Sequence, residues 1–129
     1  MTTLTADVRA PSHARAHVAA ELESLRVPEG VLVDKVVLTA SELVTNAVQA
    51  GATAVEVDLR ATTGRLDLVV VDDADGWPTP TRAAADDVAG RGLSIVEQLA
   101  DTWDVVSQAG GKVVTASWFD RSDLPSVRG

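Results

Sequence analysis

The sequence predicts an α+β fold: a two-layer α/β sandwich with a mixed, mostly antiparallel sheet and its helices on one face. Three observations point there. Apolar residues recur at helical spacing through most of the first fifty positions. Apolar and polar residues then alternate, as in a half-buried strand. Two glycine turns, at Gly64 and at Gly110-Gly111, are too tight for the crossovers that parallel strands need. A length of 129 residues fits one domain, residues 1–129, with a core over about 4–119 and a tail at 120–129.

Residues 4–8 read as a short edge strand. Pro11-Ser12 then signals a helix start, and Ala14, Val18, Leu22 and Leu25 follow at helical spacing. Pro28 to Gly30 breaks that helix. The clearest helix spans residues 31–50. Val36, Ala40, Leu43, Val44 and Ala47 share one face, and Lys35, Thr39, Glu42, Asn46 and Gln49 share the opposite one. Gly51 closes it. Val55, Val57 and Leu59 alternate with Glu56, Asp58 and Arg60, a strand that turns at Thr62-Thr63-Gly64 into a partner at 66–71. The run from Asp72 to Pro78 is acidic, with a Gly and a Pro, and reads as a loop. Residues 79–89 are a short helix or a connection. Leu93, Val96, Leu99 and Ala100 mark a helix, and strands at 103–108 and 113–119 close the order.

The bulk composition narrows the function. Net charge is -8, which opposes a general nucleic-acid binder and an anionic membrane surface. There is no cysteine, so thiolate catalysis and zinc-thiolate sites are excluded. No apolar run approaches the ~20 residues that span a bilayer, and residues 1–7 lack a basic or apolar leader pattern. The expected location is cytoplasmic.

Several motifs fail on inspection. Nothing matches Gly-x4-Gly-Lys-Ser/Thr. Gly90-Arg91-Gly92 lacks the third glycine of a dinucleotide fingerprint. The acidic loop ending at Gly76 would put Val71 and Arg82 in calcium-ligand positions. His13 and His17 lack the intervening Glu of a zinc helix.

Three other features carry chemistry. Glu42 and Asn46 lie one helical turn apart, so an amide oxygen that can bind a hard cation sits beside a carboxylate that can take a proton. Asp72, at the end of a buried strand, can accept from the amino group of a base. Gly90-Arg91-Gly92-Leu93 precedes a helix, where free amides and the positive dipole end favour phosphate. Singly, each has a plainer reading: a solvated polar face, an acidic turn, a flexible loop.

Together, and in this order, they resemble a known family. Ser41-Glu42-Leu43-Val44-Thr45-Asn46-Ala47 is similar to the N box of the Bergerat-fold ATPases, the superfamily of gyrases and histidine kinases. Asp72 to Gly76 resembles its Asp-x-Gly-x-Gly box, and Gly90 to Val96 its Gly-x-Gly-Leu box. The closest phrasing is that of the bacterial anti-sigma-factor kinase branch, including the hairpin Gly110-Gly111-Lys112. The resemblance implies that Asn46 holds Mg²⁺, that Glu42 is the general base or a water-positioning carboxylate, and that Asp72 reads adenine with Gly76 under the ring. It implies that Gly90, Arg91, Gly92 and Leu93 form a phosphate lid and that Thr115 lies near the base. It further implies ATP as the nucleotide, a STAS-type anti-anti-sigma protein as the substrate for serine/threonine phosphorylation, a sequestered sigma factor and a homodimer.

The chain departs from the pattern in places. Ala74 stands where Gly is common, and Gln49 and Ala50 fill a stretch that often carries a basic residue. These departures bear on turnover more than on binding. The alternative expectation is therefore a catalytically weak, nucleotide-responsive protein-binding module.

Overall fold

The computed structural model describes residues 1–74 and 95–119. Its elements run β1 (Thr2–Thr5), α1 (Ala10–Ser24), α2 (Val31–Gln49), β2 (Ala54–Thr62), β3 (Arg65–Asp72), β4 (Thr102–Gln108) and β5 (Gly111–Phe119). Residues 95–99 are also helical. The five strands form one sheet in the order β1-β2-β3-β5-β4, and every pairing among the described residues is antiparallel. The expected α+β class holds, with an antiparallel sheet where a partly mixed one was expected.

The edge strand ends earlier than the apolar pattern suggested, at Thr5 instead of Val8. Asp7 turns the chain: its carboxylate accepts the Arg9 N–H at 2.9 Å, and its own N–H donates to the Thr5 carbonyl at 2.9 Å. Val8 is left 91% exposed. This side-chain-to-backbone bond offers the main chain an alternative to the ladder. Helix α1 starts at Ala10, with proline in its first turn, where a missing N–H costs nothing.

Both helices end in the same way. The Val27 N–H reaches back to the Leu22 carbonyl and the Ala52 N–H to the Ala47 carbonyl, each at 3.0 Å. Such an ending needs a left-handed residue just before the closing N–H. Gly51 supplies it with φ 90° at α2, as the sequence indicated. At α1 it is Arg26, with φ 60°, so this helix stops before Pro28 is reached.

Strand faces follow from alternation. Leu66, Leu68, Val70 and Asp72 of β3 share a face with Val55, Val57 and Leu59 of β2 and with Lys112, Val114, Ala116 and Trp118 of β5. That face meets the helices: α1 packs on β1 and β2, and α2 on β2 and β3. The core between the layers is aliphatic, with Trp118 as its largest fully buried side chain. Each fully buried Val or Leu contributes roughly 1.5–3 kcal/mol.

The polar stripe of α2 is only partly solvated. Thr39 and Asn46 are buried, and the Thr39 hydroxyl turns back to the Lys35 carbonyl at 2.7 Å. Leu38, by contrast, is exposed. The helix packs against both α1 and the sheet, so its buried arc is wider than a one-sided amphipathic pattern implies. The last hairpin also shifts by one residue. Its turn is Ala109-Gly110, and Gly111 already belongs to β5, opposite Gln108.

Candidate functional site

The site is assembled where α2 ends and β3 ends. The chain leaves α2 through Gly51 and enters β2 at Ala54, and Val55 pairs in register with Asp72, the last residue of β3. Asn46, within the last turn of α2, therefore lies at the same end of the sandwich as Asp72. A second tie fixes this end. The Asp73 carboxylate accepts the Thr53 N–H at 2.7 Å, the Ala54 N–H at 3.2 Å and the Thr53 hydroxyl. These bonds, the Thr53 hydroxyl foremost, hold the Asp73 carboxyl below its usual range.

Asn46 is 7% exposed, and neither its amide nitrogen nor its amide oxygen finds a hydrogen-bond partner among the described residues. Buried polar groups are almost always paired, because an unpaired one costs about 1–3 kcal/mol. Glu42, one turn earlier, is half-buried. An orphaned amide oxygen beside a carboxylate has the chemistry of a hard-cation ligand with an adjacent proton acceptor. The unpartnered amide oxygen is of the kind that magnesium takes as a ligand.

Asp72 is buried and its carboxylate is held on both oxygens. Its Oδ1 accepts the Ala74 N–H at 2.9 Å and the Lys112 ammonium at 3.0 Å, and its Oδ2 lies 2.8 Å from the same Nζ. Lys112 was not among the residues expected at the site. It is brought there by the pairing of β3 with β5, which sets Asp72 opposite Lys112. The hairpin approaches closely here: a Cβ on Gly111 would lie 1.8 Å from the Asp72 carbonyl oxygen.

Thr115, expected near the base, is not brought to this cluster. It pairs with Val69, three residues along β5 from Lys112, so alternation directs it to the sheet face away from the helices. Gly76, Gly90, Arg91, Gly92 and Leu93 lie outside the described residues. Ala74 is buried next to Asp72, to which it donates its N–H. Gln49 and Ala50 are exposed at the end of α2.

The model of the histidine kinase-like ATPase domain family matches residues 4–118. The chain belongs to that family. Membership implies ATP binding. Among solved structures, the crystal structure of the RsbU and RsbW domains of Rv1364c from Mycobacterium tuberculosis matches with a TM-score of 0.64 and 21% identity. The match covers 90% of this chain and 30% of that one, so the likeness is one of fold to part of a longer protein. No curated protein matches the chain. Among the described residues, no helix is long and apolar enough to cross a membrane.

Proposed function

We propose that this domain is an anti-sigma regulatory factor, an ATP-dependent serine/threonine protein kinase whose substrate is a STAS-type anti-anti-sigma protein. The observation that carries the proposal is Asn46, whose two amide atoms are buried without partners one helical turn from Glu42. A buried amide held unpaired in the free protein is explained by a ligand that completes it. The order of the three sequence motifs supports the anti-sigma branch, and the fold likeness to a chain containing an RsbW domain agrees with it. A sigma factor as second partner, and a homodimer, belong to the same reading.

In this mechanism Asn46 would hold Mg²⁺ through its amide oxygen, and the ion would neutralise phosphate charge. Asp72 accepts from the adenine amino group, and by motif the reading assigns Gly76 to the base and Gly90, Arg91, Gly92 and Leu93 to the phosphates. Glu42 accepts the proton of the serine or threonine hydroxyl as its oxygen bonds to the γ-phosphorus. The bond to the β-phosphate oxygen breaks and ADP leaves.

Two measurements test this. Mg-ATP must raise the melting temperature, because a ligand selective for the folded state stabilises it. The Asn46→Ala variant must lose that rise. Labelled ATP with a STAS protein must transfer its γ-phosphate to the partner, and Glu42→Ala must slow the transfer by about 100-fold or more. A melting rise without transfer means that the protein is a nucleotide-responsive binding module. No rise at millimolar Mg-ATP removes the proposal altogether.

A further inference from the structure

We infer that Lys112 reads the nucleobase together with Asp72, donating a hydrogen bond to the ring nitrogen beside the amino group. The inference rests on the ATP reading above and adds a residue to it. The ammonium of Lys112 lies 2.8 Å and 3.0 Å from the two oxygens of Asp72, and the side chains of the pair are only 4% and 3% exposed. An ammonium has more N–H donors than these two contacts use, and Oδ2 of Asp72 keeps a free lone pair. The pair therefore presents one acceptor and one donor side by side.

That pattern is the complement of the adenine edge, whose exocyclic amino group donates and whose neighbouring ring nitrogen N1 accepts. Oδ2 takes the amino N–H and Lys112 gives an N–H to N1, while Oδ1 stays fixed by Ala74. Lys112 is also held in place for this. It lies opposite Asp72 in the ladder, and its neighbour Gly111 lets the two backbones approach so closely that a Cβ there would meet the Asp72 carbonyl oxygen. A lysine serving only to neutralise Asp72 would need no particular base edge. A lysine that reads N1 couples to that one ring atom.

The test compares ATP with 1-deaza-ATP, in which N1 is replaced by a C–H, by calorimetry in the presence of magnesium. Wild-type protein is expected to bind the analogue about tenfold or more weakly, as befits loss of a hydrogen bond from a charged donor. In Lys112→Met the two nucleotides are expected to bind alike. Equal binding of both nucleotides by wild type overturns the role of Lys112 while leaving the ATP reading intact. A wild-type protein that binds neither overturns both. If Lys112→Met does not fold, Lys112→Arg, which retains the donor, is expected to keep the preference for ATP. A preference that survives in a folded Lys112→Met assigns N1 to another group and overturns the inference.

Discussion

Gly111 lies so close to Asp72 that a Cβ on it would sit 1.8 Å from the Asp72 carbonyl oxygen and 2.9 Å from the Asp73 Cα. Both obstacles are backbone, so no side-chain rotation relieves them. Gly111→Ala must push β5 away from the end of β3, against the ladder that joins Asp72 to Lys112. The expected cost is about 2 kcal/mol or more, the range for overpacking against a rigid neighbour. It should appear as a lower urea midpoint with an unchanged slope. Because the moved backbone carries Asp72, ATP affinity should fall in the same variant. A midpoint equal to wild type would show that the hairpin yields freely.

The buried pair Asp72–Lys112 should behave as a unit. Removing either charge alone leaves the other buried without its counter-ion, which costs about 3–5 kcal/mol. Asp72→Leu combined with Lys112→Met removes both charges and should recover most of that loss. It should not recover all of it, since the Ala74 N–H then loses its 2.9 Å acceptor. Denaturation of the two single variants and the double variant gives the coupling directly. Additive losses would mean that the two charges are solvated separately in the folded protein.

This pair also marks the limit of what sequence conveys. The helices, the first hairpin and the helix-closing role of Gly51 were legible because each depends on residues a few positions apart. Glu42, Asn46 and Asp72 stood out through motif order. Lys112 did not, because its role arises when β5 pairs with β3, 40 residues away in sequence, and no local spacing encodes that register. Register also sets Thr115 opposite Val69, on the sheet face away from Asp72 and Lys112. Thr39 was hidden in another way: it lies on the polar stripe of α2, yet it is fully buried where that helix packs against its neighbours.

Trp118 ties the 95–99 helical stretch to the sheet. It is fully buried, and its indole N–H donates to the Leu99 carbonyl at 2.8 Å. Trp118→Phe keeps an aromatic ring but removes that donor and part of the volume. A loss of about 1–3 kcal/mol is expected, divided between the unpaired carbonyl and the cavity. Hydrogen exchange should show the change concentrated at residues 95–100, where the helical end loses its anchor. Uniform loss of protection across the sheet would mean that the bond to Leu99 contributes nothing local.

Asp73 gives the end of the sheet a pH dependence of known sign. Its carboxylate accepts from the Thr53 hydroxyl and from the N–H groups of Thr53 and Ala54, which hold its folded pKa below the usual value. A carboxyl depressed on folding adds stability that is fully present above its unfolded pKa, about 3.9, and is lost as pH falls through the lower folded value. Thus Asp73→Asn should melt below wild type at neutral pH, and the gap should narrow as the solution is acidified past about pH 4. The comparison isolates one group, since the other carboxyls titrate in both proteins. Thr53→Ala removes the largest cause of the depression, so the Asp73 carboxyl should titrate at higher pH by NMR. A melting gap that stays constant to the acid limit, or a carboxyl that titrates unchanged in Thr53→Ala, would sever Asp73 from Thr53.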